Sequence, residues 1–166
     1  MATTENAKEA YAGESQANRK YTTFAEKADA EGFSNVAKLF RAAAEAEAVH
    51  AKRLLFVLDD VGSTKENLEA SVSGETYEYK EMYPGFVAEA NSEQRSDAAQ
   101  IFTYAMKAEQ VHAGLYARAL QAVSQSADLE AEKVLFCPVC GNVVLDEAPE
   151  PCPICGVPAR MYREVL

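Results

Sequence analysis

Hydrophobic positions in the first two-thirds of the chain recur at alternating steps of three and four. The run is clearest at Phe33, Val36, Phe40, Ala43, Glu47, His50, Leu54, Val57 and Val61. That spacing is the stripe a helix buries against its neighbours in a bundle. It returns at Ala98, Phe102, Ala105, Glu109, His112, Tyr116, Ala119 and Val123, and in a more polar form at Tyr11, Glu14, Asn18, Tyr21, Ala25 and Ala28. The pattern predicts four helices. They run over roughly 4–30, stopping near Gly32; 34–60, stopping at Gly62; 75–90; and 93–124, capped by Ser92 or Asn91. The segment "GSTKENLEASVSG" is expected as a connection carrying some helix of its own. Pro84 removes one backbone hydrogen bond from the third helix, which predicts a kink just past Glu81, since Met82, Phe86 and Ala90 continue one helical face across it.

The pattern changes after about residue 125. Up to there the chain is rich in Ala, Glu, Gln and Lys, which is helix composition. Residues 134–166 hold five of the six prolines, all four cysteines and the β-prone stretches "VLF" and "NVVL". The segment "SQSADLEAE" reads as a linker. The expected organisation is a four-helix bundle over 1–130 and a small β-rich module over 131–166, mainly α overall.

The stripes carry charge where a bundle core should be apolar. Glu14, Glu47, His50, Glu109 and His112 all fall on them, and no Lys or Arg shares the two Glu-x-x-His seams. Burying several carboxylates together requires a counter-charge. Metal cations are the simplest source, and carboxylate with imidazole suits divalent iron or manganese. A Glu from each of two helices plus Glu-x-x-His from each of the other two is a known recipe for a carboxylate-bridged dimetal site. The third helix should supply the missing carboxylate from Glu78 and Glu81, one turn apart in "ETYEYKEMYPGF". A single Glu-x-x-His on a helix is usually a surface pair. Here there are two, they use both of the chain's histidines, and they sit in an internal repeat. A shift of 62 residues lays "LFRAAAEAEAVHA" on "IFTYAMKAEQVHA". Glu9, Glu26 and Glu45 lie off the stripes and read as solvated, while Phe40 and Met106 read as packing. Tyr21 and Tyr104 read equally as core or as hydrogen-bond donors to ligand carboxylates.

Charge narrows the partners. A net charge of -10 argues against nucleic acid, whose affinity comes from Lys and Arg on phosphates. The N-terminal "MATTENAKEA" has no secretory h-region, and no apolar run is long enough to span a bilayer, so a cytoplasmic, reducing location is expected. The cysteines then read as metal ligands rather than disulfides. "CPVCG" and "CPICG" form two knuckles, Cys137/Cys140 and Cys152/Cys155, each closed by a glycine that permits a tight turn. Four thiolates set tetrahedrally bind zinc or a single iron, and the spacing leaves both open.

With these residues in hand, the chain resembles the rubrerythrins: a ferritin-like di-iron domain followed by a rubredoxin-like module with one iron on four cysteines. The resemblance rests on Glu14, Glu47-x-x-His50, Glu78-x-x-Glu81 followed by "MYP", Glu109-x-x-His112 and the two C-P-x-C-G knuckles in that order, and covers residues 5 to 165. It implies two irons in a carboxylate-bridged site and iron rather than zinc on the cysteines. It implies reduction of hydrogen peroxide to water in oxidative stress defence, with an external electron donor such as rubredoxin or an NAD(P)H-dependent reductase. By the same resemblance Glu47 and Glu109 bridge, Glu14 and Glu78 are terminal, His112 holds one iron throughout, and the other iron exchanges Glu81 for His50 on reduction. A homodimer or higher homo-oligomer is expected. His112 lies far back from the end of its helix, so electrons are expected to reach it from another subunit's tail. Two rival readings remain: a ferritin-like iron oxidase or iron-binding protein with a structural zinc ribbon, and an adaptor built on that ribbon, the latter weakened by a tail with few basic residues.

Overall fold

The computed structural model describes residues 1–166, which form two compact units, Met1–Gly62 and Ser63–Leu166. The first is a helical hairpin, α1 (Ala2–Ala30) and α2 (Ser34–Val57). Its turn uses Gly32 at φ 85°, a left-handed position that glycine takes without strain, and Phe33 N–H donates back to Ala28 O at 2.8 Å. The two helices meet through small side chains. Ala25, Ala28 and Ala37 are buried together with Phe40 packed on them, and Asn18 Nδ2 donates across to Ala44 O at 2.7 Å. Tyr21, Phe24 and Phe40 cluster with ring centroids 5.6–6.3 Å apart, so Tyr21 is packing. α2 stops at Val57 rather than at Gly62, because Asp59 takes the left-handed position (φ 56°) and Asp60 N–H caps Leu55 O. Phe33, Val36, Val57 and Val61 of the expected stripe are exposed; the hairpin's own contact follows the alanine edge beside it.

The second unit begins with a helix the hydrophobic pattern under-read. α3 runs Thr64–Tyr77, through most of what was expected to be a connection. Its start is a capping box: Glu66 N–H donates to Ser63 Oγ, and Ser63 N–H donates to the Glu66 carboxylate at 2.7 Å. A π-helical turn, Glu78–Met82, joins α3 to α4 (Tyr83–Ser92) without a break. Tyr83 N–H reaches Glu78 O, five residues back. Pro84 therefore does not end the helix; the wider turn before it accommodates a residue with no N–H to give. α5 (Ser96–Ser124) packs along α3 and α4, with the rings of Tyr83, Phe86 and Phe102 clustered at centroid distances of 5.6–6.3 Å. Neither Ser92 nor Asn91 caps α5: both end α4, Gln94 turns at φ 58°, and Arg95 precedes α5 with its guanidinium on Asp97.

Past α5 the chain reverses at Ser126 (φ 59°) and builds a three-stranded antiparallel sheet in the order β2-β1-β3, from β1 (Val134–Phe136), β2 (Val143–Leu145) and β3 (Arg163–Glu164). Leu135 faces Val144 on one side and Glu164 on the other. β2 packs on α5, so residues 63–166 form one contact unit that spans the change of composition near 130. No helix is long and apolar enough to cross a membrane.

Candidate metal centres

The Glu-x-x-His spacing does in each helix what a three-residue step requires: it puts both side chains on one face. In α2, Glu47 Oε2 lies 2.9 Å from His50 Nδ1, and Glu14 of α1 brings Oε1 to 3.7 Å from the same nitrogen. In α5, Glu109 Oε2 lies 2.6 Å from His112 Nδ1, and Glu75 of α3 brings Oε2 to 3.9 Å. In each triad one atom per residue lies within 4.8 Å of the others. Two carboxylates and one imidazole nitrogen converge in both; the 62-residue repeat relates Glu47 to Glu109 and His50 to His112, while Glu14 and Glu75 join from the neighbouring helices outside it.

The carboxylates repel. A hydrogen bond shared with Glu47 is the largest influence raising Glu14 above the ordinary range, ahead of burial and the Glu47 charge. Burial, then the shared hydrogen bond and charge of Glu109, push Glu75 up to about 8. Burial and then Glu109 raise Glu78, against the pull of His112. Burial, then the charges of Glu78, Glu109 and Glu75, raise Tyr83, which places its hydroxyl in the field of this cluster. Anionic groups held this close suit a cation. The donor chemistry fits a metal: two ligand atoms at about 2.1 Å from one ion and at a right angle stand about 3 Å apart, close to the 2.6 and 2.9 Å found between Nδ1 and the helical glutamates.

Glu14, Glu47, His50, Glu109 and His112 are thus brought together as expected, each within its own unit. The third helix is corrected. Glu81 is exposed and outside either cluster, and Glu75, which the sequence reading passed over, stands with Glu109 and His112. Glu78 is half-buried at the start of the π-turn and feels both Glu109 and His112. The physical reason is the π-turn, which widens the helix between Glu78 and Met82 and carries Glu81 off the face that Glu75 and Glu78 share. The signal was present: with the helix started at Thr64, Leu68, Ser71, Glu75 and Glu78 step by three, four and three and are all partly buried.

The four cysteines form the third cluster. Cys137, Cys140 and Cys152 are buried and Cys155 partly so; none is in a disulfide. Sγ atoms of Cys137 and Cys155, and of Cys140 and Cys152, lie 3.6 Å apart. A regular tetrahedron with metal–sulfur bonds of about 2.3 Å has edges of about 3.8 Å, so the tetrad fits one ion. The knuckles are copies. Gly141 N–H donates to Cys137 O and Cys137 N–H to Asn142 O; Gly156 N–H donates to Cys152 O and Cys152 N–H to Val157 O. Both glycines sit at positive φ, 80° and 78°, as the sequence anticipates. Burial raises the Cys140 thiol. Burial also acts to raise Cys152, but hydrogen bonds from the Tyr162 hydroxyl and the backbone outweigh it and bring the thiol down to about 6. Asn142 Nδ2 donates to that hydroxyl at 2.8 Å, with Asn142 only 1% exposed.

One contact joins two of these clusters inside the second unit. His112 Nε2 lies 2.9 Å from the carbonyl oxygen of Gly141, the residue after Cys140, and Tyr104 packs on the cysteine cluster. The expectation that the tail starts too far from His112 within one chain is therefore overturned. It assumed the chain runs on past α5, whereas Ser126 and the linker fold the module back along the helix.

The comparisons agree with this arrangement. The family model Rubrerythrin matches residues 5–120, and Rubrerythrin, rubredoxin-like domain matches residues 136–163. The chain is 37% identical to Rubrerythrin-2 of Clostridium acetobutylicum, covering 93% of this chain and 91% of that one. It is 36% identical to Nigerythrin of Nitratidesulfovibrio vulgaris, covering 96% and 85%. Among solved structures it is similar to the partially reduced and the fully reduced, all-ferrous states of nigerythrin, with TM-scores of 0.59 and 0.58, 34% identity, and 98% of this chain and 86% of that one covered in each. With two carboxylate–histidine triads suited to an iron pair and a thiolate tetrad suited to one more metal ion, this chain belongs to the rubrerythrin family.

Proposed function

We propose that the protein is a non-haem di-iron peroxidase that reduces hydrogen peroxide to water, taking electrons one at a time through its four-cysteine iron. The observation that carries this reading is the hydrogen bond between His112 and Gly141, which puts an electron-carrying type of site directly against a ligand of the other. The reaction consumes one peroxide, two electrons and two protons and yields two waters; a reduced iron pair supplies both electrons together and a Lewis-acidic seat for the peroxide oxygens.

The chain's own residues supply the rest. Glu14, Glu47 and His50 from one helix pair, with Glu75, Glu78, Glu109 and His112 from the other, are the proposed iron ligands. By the resemblance to rubrerythrins, Glu47 and Glu109 would be the bridging carboxylates once metal is bound. Glu78 takes the exchanging role first expected of Glu81, since it lies beside the cluster and Glu81 does not. The Tyr83 hydroxyl, held in the field of Glu75, Glu78 and Glu109, is placed to orient a carboxylate. Edge-on contact with Phe86 and tilted packing on Phe102 fix its ring. An external donor, a rubredoxin or an NAD(P)H-dependent reductase, refills the thiolate iron, and the protein works as a homo-oligomer in the cytoplasm.

The test is turnover of the iron-loaded protein with a reduced donor, comparing peroxide with O2. Faster turnover with peroxide supports the peroxidase. Faster consumption of O2, with ferric product accumulating, would instead favour the ferritin-like oxidase.

A further inference from the structure

His112 has an acceptor behind it that the metal ligands do not explain. A carbonyl oxygen can only accept, so the 2.9 Å contact means that Nε2 carries the proton and donates it to Gly141 O. In a neutral imidazole that leaves Nδ1 bare, facing Glu109 Oε2 at 2.6 Å. A bare nitrogen and an ionised carboxylate cannot stay this close on their own; a proton or a metal cation belongs between them. The carbonyl is held by the knuckle itself. Gly141 takes φ 80°, its N–H donates to Cys137 O, and Asn142 O accepts from Cys137 N–H. The knuckle is also seated. A side chain built on Gly141 would first meet Ala108 Cβ, at 3.9 Å, and Ala108 is 2% exposed and directly precedes Glu109.

We propose that the Gly141 carbonyl positions His112, so that filling the four-cysteine site strengthens metal binding at the Glu75–Glu109–His112 triad. This rests on His112 being a metal ligand and goes beyond it by giving the rubredoxin-like module a second task besides carrying electrons. A knuckle of buried thiols needs its metal to hold its shape. Without it the carbonyl moves, and the imidazole is free to turn or to shift its proton to Nδ1. Groups that orient a ligating histidine are worth roughly 10- to 100-fold in metal affinity. Linkage makes the effect mutual: metal at the triad steadies the knuckle by the same factor. The first hairpin has no such arrangement. There His50 meets Glu47 and Glu14 through Nδ1, and its side chain is 56% exposed against 21% for His112. His50 is therefore a built-in control.

The experiment uses the full chain with zinc on the four cysteines, titrated with Mn2+ by calorimetry. Zinc holds thiolates far more tightly than manganese does, so the two sites fill separately. Two variants break the contact from opposite sides: Ala108→Leu wedges the knuckle off α5, and the double variant Cys137→Ser, Cys140→Ser removes its metal. Each should weaken the tighter Mn2+ site roughly 10- to 100-fold. In parallel, nitrogen-correlated NMR of the zinc-saturated protein reads the two histidines. His112 should bind zinc through Nδ1 and show a slowly exchanging Nε2 proton, which Ala108→Leu should lose while the His50 signal stays put. If Ala108→Leu disturbs α5 itself, seen as lost helicity, the cysteine variant alone decides. Unchanged Mn2+ affinity in the folded variants, or zinc on Nε2 of His112, overturns the positioning role. Failure of Glu109→Gln to affect Mn2+ binding would instead remove the metal reading on which it rests.

Discussion

The carboxyls of Glu75 in α3 and Glu109 in α5 stand together beside His112, and burial, then the hydrogen bond and charge of Glu109, push Glu75 up to about 8. A proton held more tightly in the folded chain than in the unfolded one makes stability fall as pH rises between the two pKa values. The unfolded value is near 4.5, so the metal-free protein should lose stability progressively from about pH 4.5 to about pH 8. Metal replaces that proton, so its binding should strengthen over the same interval and offset the loss. Thermal unfolding of chelator-treated and metal-loaded protein across pH 5 to 8.5 checks both slopes. A metal-free melting temperature that climbs over this range would contradict the raised Glu75 pKa.

The third helix gives a prediction that separates two neighbouring glutamates. Glu75→Ala should weaken metal binding at least about tenfold, because Glu75 stands in the triad. Glu81→Ala should leave metal content and melting temperature nearly unchanged, because its side chain is exposed. Iron quantification on the two purified variants decides. A comparable loss from Glu81→Ala would return that residue to the ligand set.

The thiolate tetrad and the carboxylate centre should be separable in reactivity when both are offered excess metal. Cys137→Ser should abolish the thiolate-to-iron absorbance and donor-coupled peroxide turnover. At saturating ferrous iron, chemically reduced Cys137→Ser should still consume one peroxide per carboxylate site. Stopped-flow oxidation with a single peroxide addition measures this; no oxidation at saturating iron would mean the tetrad takes part in the chemistry itself.

The Tyr162 hydroxyl, donating to Cys152 and receiving from Asn142, should tune the thiolate iron. A hydrogen bond to sulfur stabilises the more negative, reduced site. Removing one worth about 1 kcal/mol in Tyr162→Phe should lower the potential by roughly 50 mV. The same change strands a buried Asn142 N–H, at about 1–3 kcal/mol of stability. Redox titration followed by absorbance gives the first value and denaturant unfolding the second. An unchanged potential would show that the hydroxyl does not reach the sulfur in the iron-loaded protein.

Much of this was readable before any coordinates. Glu47/His50 and Glu109/His112 were legible because a three-residue step fixes two side chains on one face whatever the rest of the helix does. The cysteine knuckles were legible because their spacing, with glycine after the second cysteine, admits few geometries. Glu75 was missed for two local reasons. The capping box at Ser63 and Glu66 starts α3 early, in a stretch too polar for hydrophobic periodicity to register. The π-turn then breaks the three-and-four count, so Glu78-x-x-Glu81 and Glu75-x-x-Glu78 look alike on paper while only the second pair stays on the buried face. The fold-back of the tail was hidden because it depends on Ser126 taking a left-handed conformation, for which serine gives no sign.

The 62-residue repeat relates one stretch of α2 to one of α5, and each unit offers one imidazole and two carboxylates. A duplicated scaffold of this kind would start with two equivalent metal seats. The single tail ends that equivalence, since it has one carbonyl to offer and gives it to His112. One seat then has an imidazole held at both nitrogens, and the other, at His50, an imidazole held through Nδ1. A metal that changes partners would do so more readily on the untethered side, so one loop is enough to make two like seats unequal.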